Sequence, residues 1–284
     1  MMITSESFDP SLEMGVYSYE SHEQWCSWRQ SNPWFGFLSA PKEIAEYCKV
    51  HGIKSSWFGQ ISPADVEVTS SNYRESLMGK GFNPRQRAIL EVCQILTKDR
   101  EAETSVYAAE GITSFARALR DRYPLFVGSE YAPTSVEQAR IAPVIHQDLA
   151  ALTFENASFD LCITNDVIEH LPNLKTSLSE LRRVLRPGGS LLSTFPFLHD
   201  RFESIIKARL RADGSIDYLS EPEYHGNPVD PSGGSLVFQI PGWDILEDCR
   251  KAGFVQAKMI LLCSLNSGIT SKHYPGILLL LATT

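Results

Sequence analysis

Four short stretches of this chain set carboxylates and a carboxamide directly after apolar runs, an arrangement suited to holding a nucleoside. They are Glu110-Gly111-Ile112-Thr113, Glu130, Asp148-Leu149, and Asn165-Asp166-Val167-Ile168-Glu169-His170-Leu171. A small residue after a first strand lets backbone approach a ligand, and the helix that follows offers free N–H groups. Glu130 follows Gly111 by about 20 residues, the spacing at which an acid reaches a ribose hydroxyl pair. A carboxylate accepts two hydrogen bonds from such a vicinal diol. Asp148 can accept the exocyclic amine of adenine while Leu149 packs on the ring face. Plainer alternatives stand beside each: a turn glycine at 111, a solvated turn acid at 130, an N-cap or turn acid at 148.

These residues need a frame, and the pattern from Ser105 onward supplies one. Ser105–Ala109, Leu125–Ser129, Val144–His146, Phe159–Thr164 and Ser190–Phe195 are expected strands. Between them, Phe115, Ala118, Leu119 and Tyr123 mark one helix. Leu174, Leu178, Leu181, Val184 and Leu185 mark another, stopped by Pro187-Gly188-Gly189. Such alternation implies an α/β, doubly wound parallel sheet with right-handed crossovers, which binds ligands outside the carboxyl ends of its strands. The tail departs from it: Trp243–Ala252 is helical, then Val255–Leu262 and Ile277–Ala282 form an expected hairpin at the sheet edge. Residues 198–240 are a long insertion rich in Pro, Gly and charge, the kind that forms lids and binding loops.

Residues 1–100 differ in character. Four of the five tryptophans (Trp25, Trp28, Trp34, Trp57) lie there, among turns such as Ser31-Asn32-Pro33 and Ser62-Pro63. They point to a small core, or a cover over the cleft, rather than a platform for stacking bases. Asn83-Pro84 opens a helix with Ala88, Ile89, Val92 and Leu96 on one face. The charged connector 98–104 divides an N-terminal accessory region (1–100) from a second domain (101–284).

The formal net charge of -8 opposes phosphate backbones, and Arg85, Arg87 and Arg182-Arg183 are too scattered to form a basic stripe. Nucleic acid is therefore an unexpected partner, and a small or neutral acceptor fits better. The six cysteines have no C-x-x-C spacing, so no metal site is expected. Met1–Glu20 lacks a targeting pattern, and the longest apolar run, Ile277–Ala282, is too short for a bilayer; a cytoplasmic protein without membrane contact is expected.

Three runs together resemble a known family. Asp148-Leu-Ala-Ala-Leu-Thr-Phe-Glu-Asn-Ala-Ser-Phe-Asp160, Asn165-Asp-Val-Ile-Glu-His-Leu-Pro172 and Leu181-Arg-Arg-Val-Leu-Arg-Pro-Gly-Gly189 look like the class I S-adenosylmethionine (SAM) dependent methyltransferases that act on small molecules. The resemblance covers about residues 105 to 284 and implies a Rossmann-like seven-stranded sheet with an antiparallel last strand, with SAM as cofactor. Carried over by position, Ala109, Glu110 and Gly111 face the methionine end of SAM. Glu130, followed by Tyr131, takes the ribose hydroxyls; Asp148 and Leu149 hold adenine; Asn165 lines the sulfonium region with Asp166 and His170 close by. The family's first loop is usually D-x-G-x-G-x-G. Here Ala108-Ala109-Glu110-Gly111-Ile112-Thr113 keeps one glycine and lacks the acid.

A finer similarity lies in Glu223-Tyr-His-Gly-Asn-Pro-Val-Asp230, Ser232-Gly-Gly-Ser-Leu-Val-Phe238 and Gly242-Trp-Asp-Ile-Leu246, with Asn72-Tyr-Arg-Glu-Ser-Leu77 and Asn83-Pro-Arg-Gln-Arg-Ala88. It points to methyltransferases of bacterial glycan and secondary-metabolite pathways. Some of those relatives carry a cysteine pair between the last two pieces; Met78-Gly79-Lys80-Gly81 stands there instead.

Methyl transfer to a hydroxyl calls for a general base, and an imidazole near its working pKa suits the task. His225 in the insertion, His170 after the fourth strand and Asp200 after the fifth are the candidates. The expected function is methyl transfer from SAM to oxygen of a small-molecule or sugar acceptor. The alternative is a catalytically degenerate methyltransferase fold acting as a binding or scaffold subunit, which the eroded loop favours. A dinucleotide-dependent oxidoreductase lacks its G-x-G-x-x-G here.

Overall fold

The computed structural model describes residues 15–32 and 40–284. Pro33, Trp34 and the stretch before Gly15 lie outside the described residues. The chain divides into two compact units.

The first unit comprises the described residues up to Asp99 together with Lys258–Leu279. It begins with strand β1 (Gly15–Tyr19), followed by helices α1 (His22–Ser31), α2 (Ala40–His51), α3 (Tyr73–Ser76) and α4 (Pro84–Thr97). Helix α4 starts where the sequence places it. Asn83 Oδ1 accepts from the Gln86 N–H (2.9 Å), Gln86 Oε1 accepts from the Asn83 N–H (3.1 Å), and Pro84 fills the first turn, where no N–H is needed. Ile44, Cys48, Ile53, Ile61, Val66 and Leu77 form one core cluster. Buried Arg87 donates to the carbonyls of Ser267 (3.0 Å), Leu77 (3.1 Å), Gly268 (2.9 Å) and Phe82, so backbone oxygens take the place of water around its charge, although burial still lowers its pKa. Trp25 is completely buried, stacked on Trp28 and edge-on to Tyr19 and Tyr274. It is a packing residue of this unit.

The second unit comprises Arg100–Ala257 and Leu280–Thr284. It runs β2 (Ser105–Ala108), α5 (Ser114–Arg122), β3 (Leu125–Glu130), α6 (Ser135–Ile141), β4 (Ile145–His146), β5 (Phe159–Asn165), α7 (Leu174–Val184), β6 (Leu185–Thr194) and α8 (Ile245–Lys251). Strands β7 (Gln256–Cys263), of which residues 258–263 belong to the first unit, and β8 (Ile277–Thr283), of which residues 277–279 do, follow in the chain. Strands β2 to β6 pair in parallel. The end of β8 lies antiparallel on β6, from Ser193↔Leu280 to Ser190↔Thr283. Val106, Tyr107, Ala108, Leu161, Cys162, Ile163, Leu191 and Leu192 are all buried, as expected of strands covered on both faces. Leu178, Leu181 and Val184 of α7 and Phe115 and Leu119 of α5 contribute to that covering layer.

Two expectations need correction. The sheet has eight strands, in the order β1-β7-β8-β6-β5-β2-β3-β4, not seven. The additional strand is β1, antiparallel to β7 from Gly15↔Cys263 to Tyr19↔Met259. Its Gly-Val-Tyr-Ser-Tyr sequence alternates buried and half-buried positions, a period-2 signal hidden in a stretch that reads as polar. Consequently β7 and β8 are not the edge of the sheet; β1 is. Strand β6 also starts earlier than Ser190, at Leu185, with a register shift across Pro187-Gly188-Gly189.

The motif around Arg183 has a structural role. Its guanidinium donates to the carbonyls of Leu152 (2.8 Å) and Phe154 (2.7 Å) and pairs bidentately with Glu180, which accepts from the Leu152 N–H (2.9 Å). The loop between β4 and β5 is thereby fixed to α7.

Candidate functional site

The carboxyl ends of β2, β3, β5 and β6 are stitched together by side chains. At the end of β2, buried Glu110 accepts from Thr113 Oγ1 (2.5 Å) through Oε2 and from Asn165 Nδ2 (3.1 Å) through Oε1. Thr113 also caps α5, accepting from the Ala116 N–H (3.1 Å). Asn165 ends β5, and its Oδ1 accepts from Thr194 Oγ1 of β6 (2.9 Å). Ala109, half-buried, donates its N–H to Ile163 O (3.0 Å).

Glu130 ends β3 and is 8% exposed. Its Oε1 accepts from the N–H groups of Gly111 (2.8 Å) and Ile112 (3.1 Å), while Oε2 takes no hydrogen bond among the described residues. Burial raises the pKa of this carboxyl, and the two amides oppose that rise. Gly111 is demanded by packing. A Cβ there would lie 2.4 Å from Val144 Cγ1 and 3.2 Å from the Gly128 carbonyl carbon. A Cβ on Gly128, inside β3, would lie 2.8 Å from Glu110 O and 2.9 Å from Gly111 Cα. Two glycines facing each other across loop and strand make this close approach possible.

At the end of β4, Asp148 Oδ1 accepts from the Ala150 N–H (2.8 Å), making it a turn acid with Oδ2 unused among the described residues. Leu149 is buried and Tyr131 exposed, its ring 5.6 Å from that of His146. His146 Nδ1 accepts from the Ala132 N–H (2.9 Å). Val229 of the insertion packs with Ala132 and Ile141, against Ile112 and Val144, so the insertion returns to this edge. Asp166 adopts φ +51°, a left-handed conformation that Asp tolerates better than most residues, and donates its N–H to Thr194 O (2.9 Å).

The insertion also meets the turn after β5. His170 Nδ1 lies 2.9 Å from Leu236 O, and the Phe238 N–H donates to Glu169 O (2.8 Å). Tyr224–His225 pairs with Ser235–Leu236 in a short ribbon, bringing His225 beside His170 with ring centroids 5.1 Å apart and planes at 89°. Between them lies Glu169, fully buried, 3.5 Å from His225 Nδ1 and 3.7 Å from His170 Nε2 through Oε1. His225 Nε2 lies 3.2 Å from Glu223 Oε1, whose other oxygen binds Lys207. Glu169 and then Glu223 hold the His225 pKa above its ordinary value, against the opposing effect of burial. Asp200 is exposed, and no hydrogen bond or ion pair joins it to either histidine among the described residues.

The structure thus joins Glu110 to Asn165, Glu130 to Gly111, and His170 to His225. Glu169 lies within residues 165–171, but its residue type alone does not mark it as part of the site. Its pairing with His225 depends on the path of the insertion, which periodicity does not reveal. Gly128 was equally unmarked, since a glycine within a strand signals a close backbone approach only when the facing residue is known.

Residues 108–193 match the family described as "Methyltransferase domain". A highly reducing polyketide synthase of Purpureocillium lilacinum is 32% identical over 133 residues, 42% of this chain and 5% of that protein. An uncharacterized methyltransferase of Mycobacterium avium is 29% identical over 135 residues, 44% of this chain and 53% of its own length. The matched stretch therefore spans about half, or far less, of these relatives. A crystal structure of an S-adenosylmethionine dependent methyltransferase from Mesorhizobium loti aligns at a TM-score of 0.44 and 14% identity, covering 70% of this chain and 98% of that one. No helix among the described residues is long and apolar enough to cross a membrane.

Proposed function

We propose that the second unit is a SAM-dependent methyltransferase acting on oxygen of a small-molecule or sugar acceptor. The observation that carries this reading is the Glu130 carboxylate, held by two loop amides through one oxygen with the other unengaged, within a segment that matches the methyltransferase family. The donor set suits the cofactor: one free carboxylate oxygen for a diol, a second acid at the next strand end, and an acid-rich surround for a cationic ligand. When bound, SAM supplies an electrophilic methyl group on a sulfonium sulfur.

In this proposal Glu130 accepts from the ribose hydroxyls through Oε2, and Asp148 accepts from the adenine amine while Leu149 packs beneath the ring. Ala109, Glu110 and Gly111 form the wall for the methionine end. Asn165, held by both Glu110 and Thr194, lines the sulfonium region with Asp166. The insertion 198–240 covers the acceptor side and excludes water, as the contacts of Val229, Leu236 and Phe238 suggest. The cluster of His225, Glu169 and His170 activates the acceptor hydroxyl. Asp200 stands outside this proton path.

The test is calorimetric titration with SAM and S-adenosylhomocysteine on the wild type, Glu130→Ala and Asp148→Ala, followed by a coupled assay for S-adenosylhomocysteine release across alcohol, phenol and sugar acceptors. Binding lost in both variants supports the assignment. A folded wild type that binds neither nucleoside would turn the reading to a scaffold subunit.

A further inference from the structure

The grouping of Glu169, His170 and His225 poses a problem in hydrogen-bond accounting. Neither oxygen of Glu169 takes a hydrogen bond at normal distance among the described residues, although the side chain is fully buried. A buried carboxylate in that state is costly unless a cation faces it. The two neighbouring imidazoles have committed their other nitrogens. His170 Nδ1 lies against Leu236 O, which can only accept, so Nδ1 carries the proton and Nε2 presents a lone pair. His225 Nε2 lies against the Glu223 carboxylate and donates to it, so in the neutral imidazole, the form a cation selects, Nδ1 presents the other. Two lone pairs and a carboxylate oxygen therefore converge, their ligand atoms all within 4.8 Å of one another.

The separations discriminate between a proton and a larger cation. A charge-assisted hydrogen bond draws nitrogen and oxygen to about 2.7–2.9 Å. Here they stand 3.5 and 3.7 Å apart. Two ligands bound at about 2.1 Å around a tetrahedral metal lie about 3.4 Å from each other. The surroundings have the form of a metal site's outer ring, in which each ligating histidine donates its remaining N–H to a carbonyl or carboxylate. Leu236 O serves His170, and Glu223, itself held by Lys207, serves His225.

We infer that Glu169 Oε1, His170 Nε2 and His225 Nδ1 bind a divalent first-row cation such as Zn2+ or Mn2+. Two imidazoles and one carboxylate favour such an ion over Mg2+ or Ca2+, which prefer all-oxygen surroundings. Three protein ligands leave positions open for water or an acceptor oxygen. A hydroxyl ligated there releases its proton to solvent at lower pH, leaving the oxygen as an alkoxide on the cation. This inference deepens the proposed activation of the acceptor and rests on that reading for its role, though binding of the ion stands independently.

The experiment uses the full chain, stripped with a chelator and dialysed. Zn2+ and Mn2+ are titrated by calorimetry, stoichiometry is read by elemental analysis, and Co2+ is added for its visible spectrum. One equivalent per chain is expected, with a Co2+ spectrum of nitrogen-ligated low coordination and a rise in Tm. Glu169→Gln and His225→Ala should each abolish binding, with folding checked by circular dichroism. Glu223→Gln, which leaves all three ligands in place, should weaken it roughly 10- to 100-fold. Absence of binding in the stripped wild type, or wild-type affinity in folded His225→Ala, would overturn the site. S-adenosylhomocysteine titrated into the same stripped sample separates the two proposals: nucleoside binding without metal binding defeats this one alone, and the converse defeats the methyltransferase reading alone.

Discussion

Glu130→Gln separates the two tasks of that side chain. The amide keeps an oxygen for the N–H groups of Gly111 and Ile112, at 2.8 and 3.1 Å, so the loop retains its acceptor. What disappears is the charge. In the unliganded protein burial raises the Glu130 pKa, so the folded state holds its proton more tightly than the unfolded state. That contribution to stability is full below the ordinary carboxylate value and is lost as pH rises through the raised pKa. The variant should therefore match the wild type near pH ~4 and equal or exceed its stability at neutral pH. Ligand affinity should move the other way. Losing charge-assisted hydrogen bonds to a ribose diol costs about 1.5–3 kcal/mol, roughly a 10- to 100-fold weaker Kd. Thermal melts across pH and calorimetry with S-adenosylhomocysteine read the two effects on one sample. Unchanged affinity would remove Glu130 from the nucleoside. A clear loss of stability at neutral pH would show the carboxylate to be a net structural asset and reverse the sign argued here.

Gly128→Ala introduces a Cβ 2.8 Å from Glu110 O and should lower stability by about 1–3 kcal/mol in denaturant titrations, as overpacking does, while also weakening nucleoside binding. Trp25→Ala empties the aromatic centre of the first unit and should cost about 3–5 kcal/mol by the same measurement. Arg183→Met strips donors from the carbonyls of Leu152 and Phe154; hydrogen exchange should accelerate in residues 152–158 more than in α5.

Much of the second unit was legible because parallel strands buried on both faces leave unbroken apolar runs, as at Leu161–Ile163, and α7 shows its 3.6-residue spacing openly. Turn chemistry was equally plain at Asn83-Pro84. Strand β1 was not, because two tyrosines and a valine among acidic residues carry little hydropathy; its order comes from pairing with β7, distant in sequence. The acids at strand ends were found because strand ends are found. Glu169 was not singled out, because a buried carboxylate is distinguished from a surface one only by what surrounds it. Asp200 follows β6, as its place in the sequence implies, and is exposed there.

The facing glycines at 111 and 128 bear on how such loops evolve and how they are searched for. A contiguous pattern counts one glycine between Ala108 and Thr113 and scores the loop as eroded. The backbone has no such bookkeeping: it needs room at a point, and here both walls must be bare, because a Cβ on either glycine would crowd the backbone of the other. Relatives that keep this close approach should then carry glycine at both positions, so the two ought to be retained as a pair. A fingerprint written across loop and strand together would recognise members that one written along the loop discards.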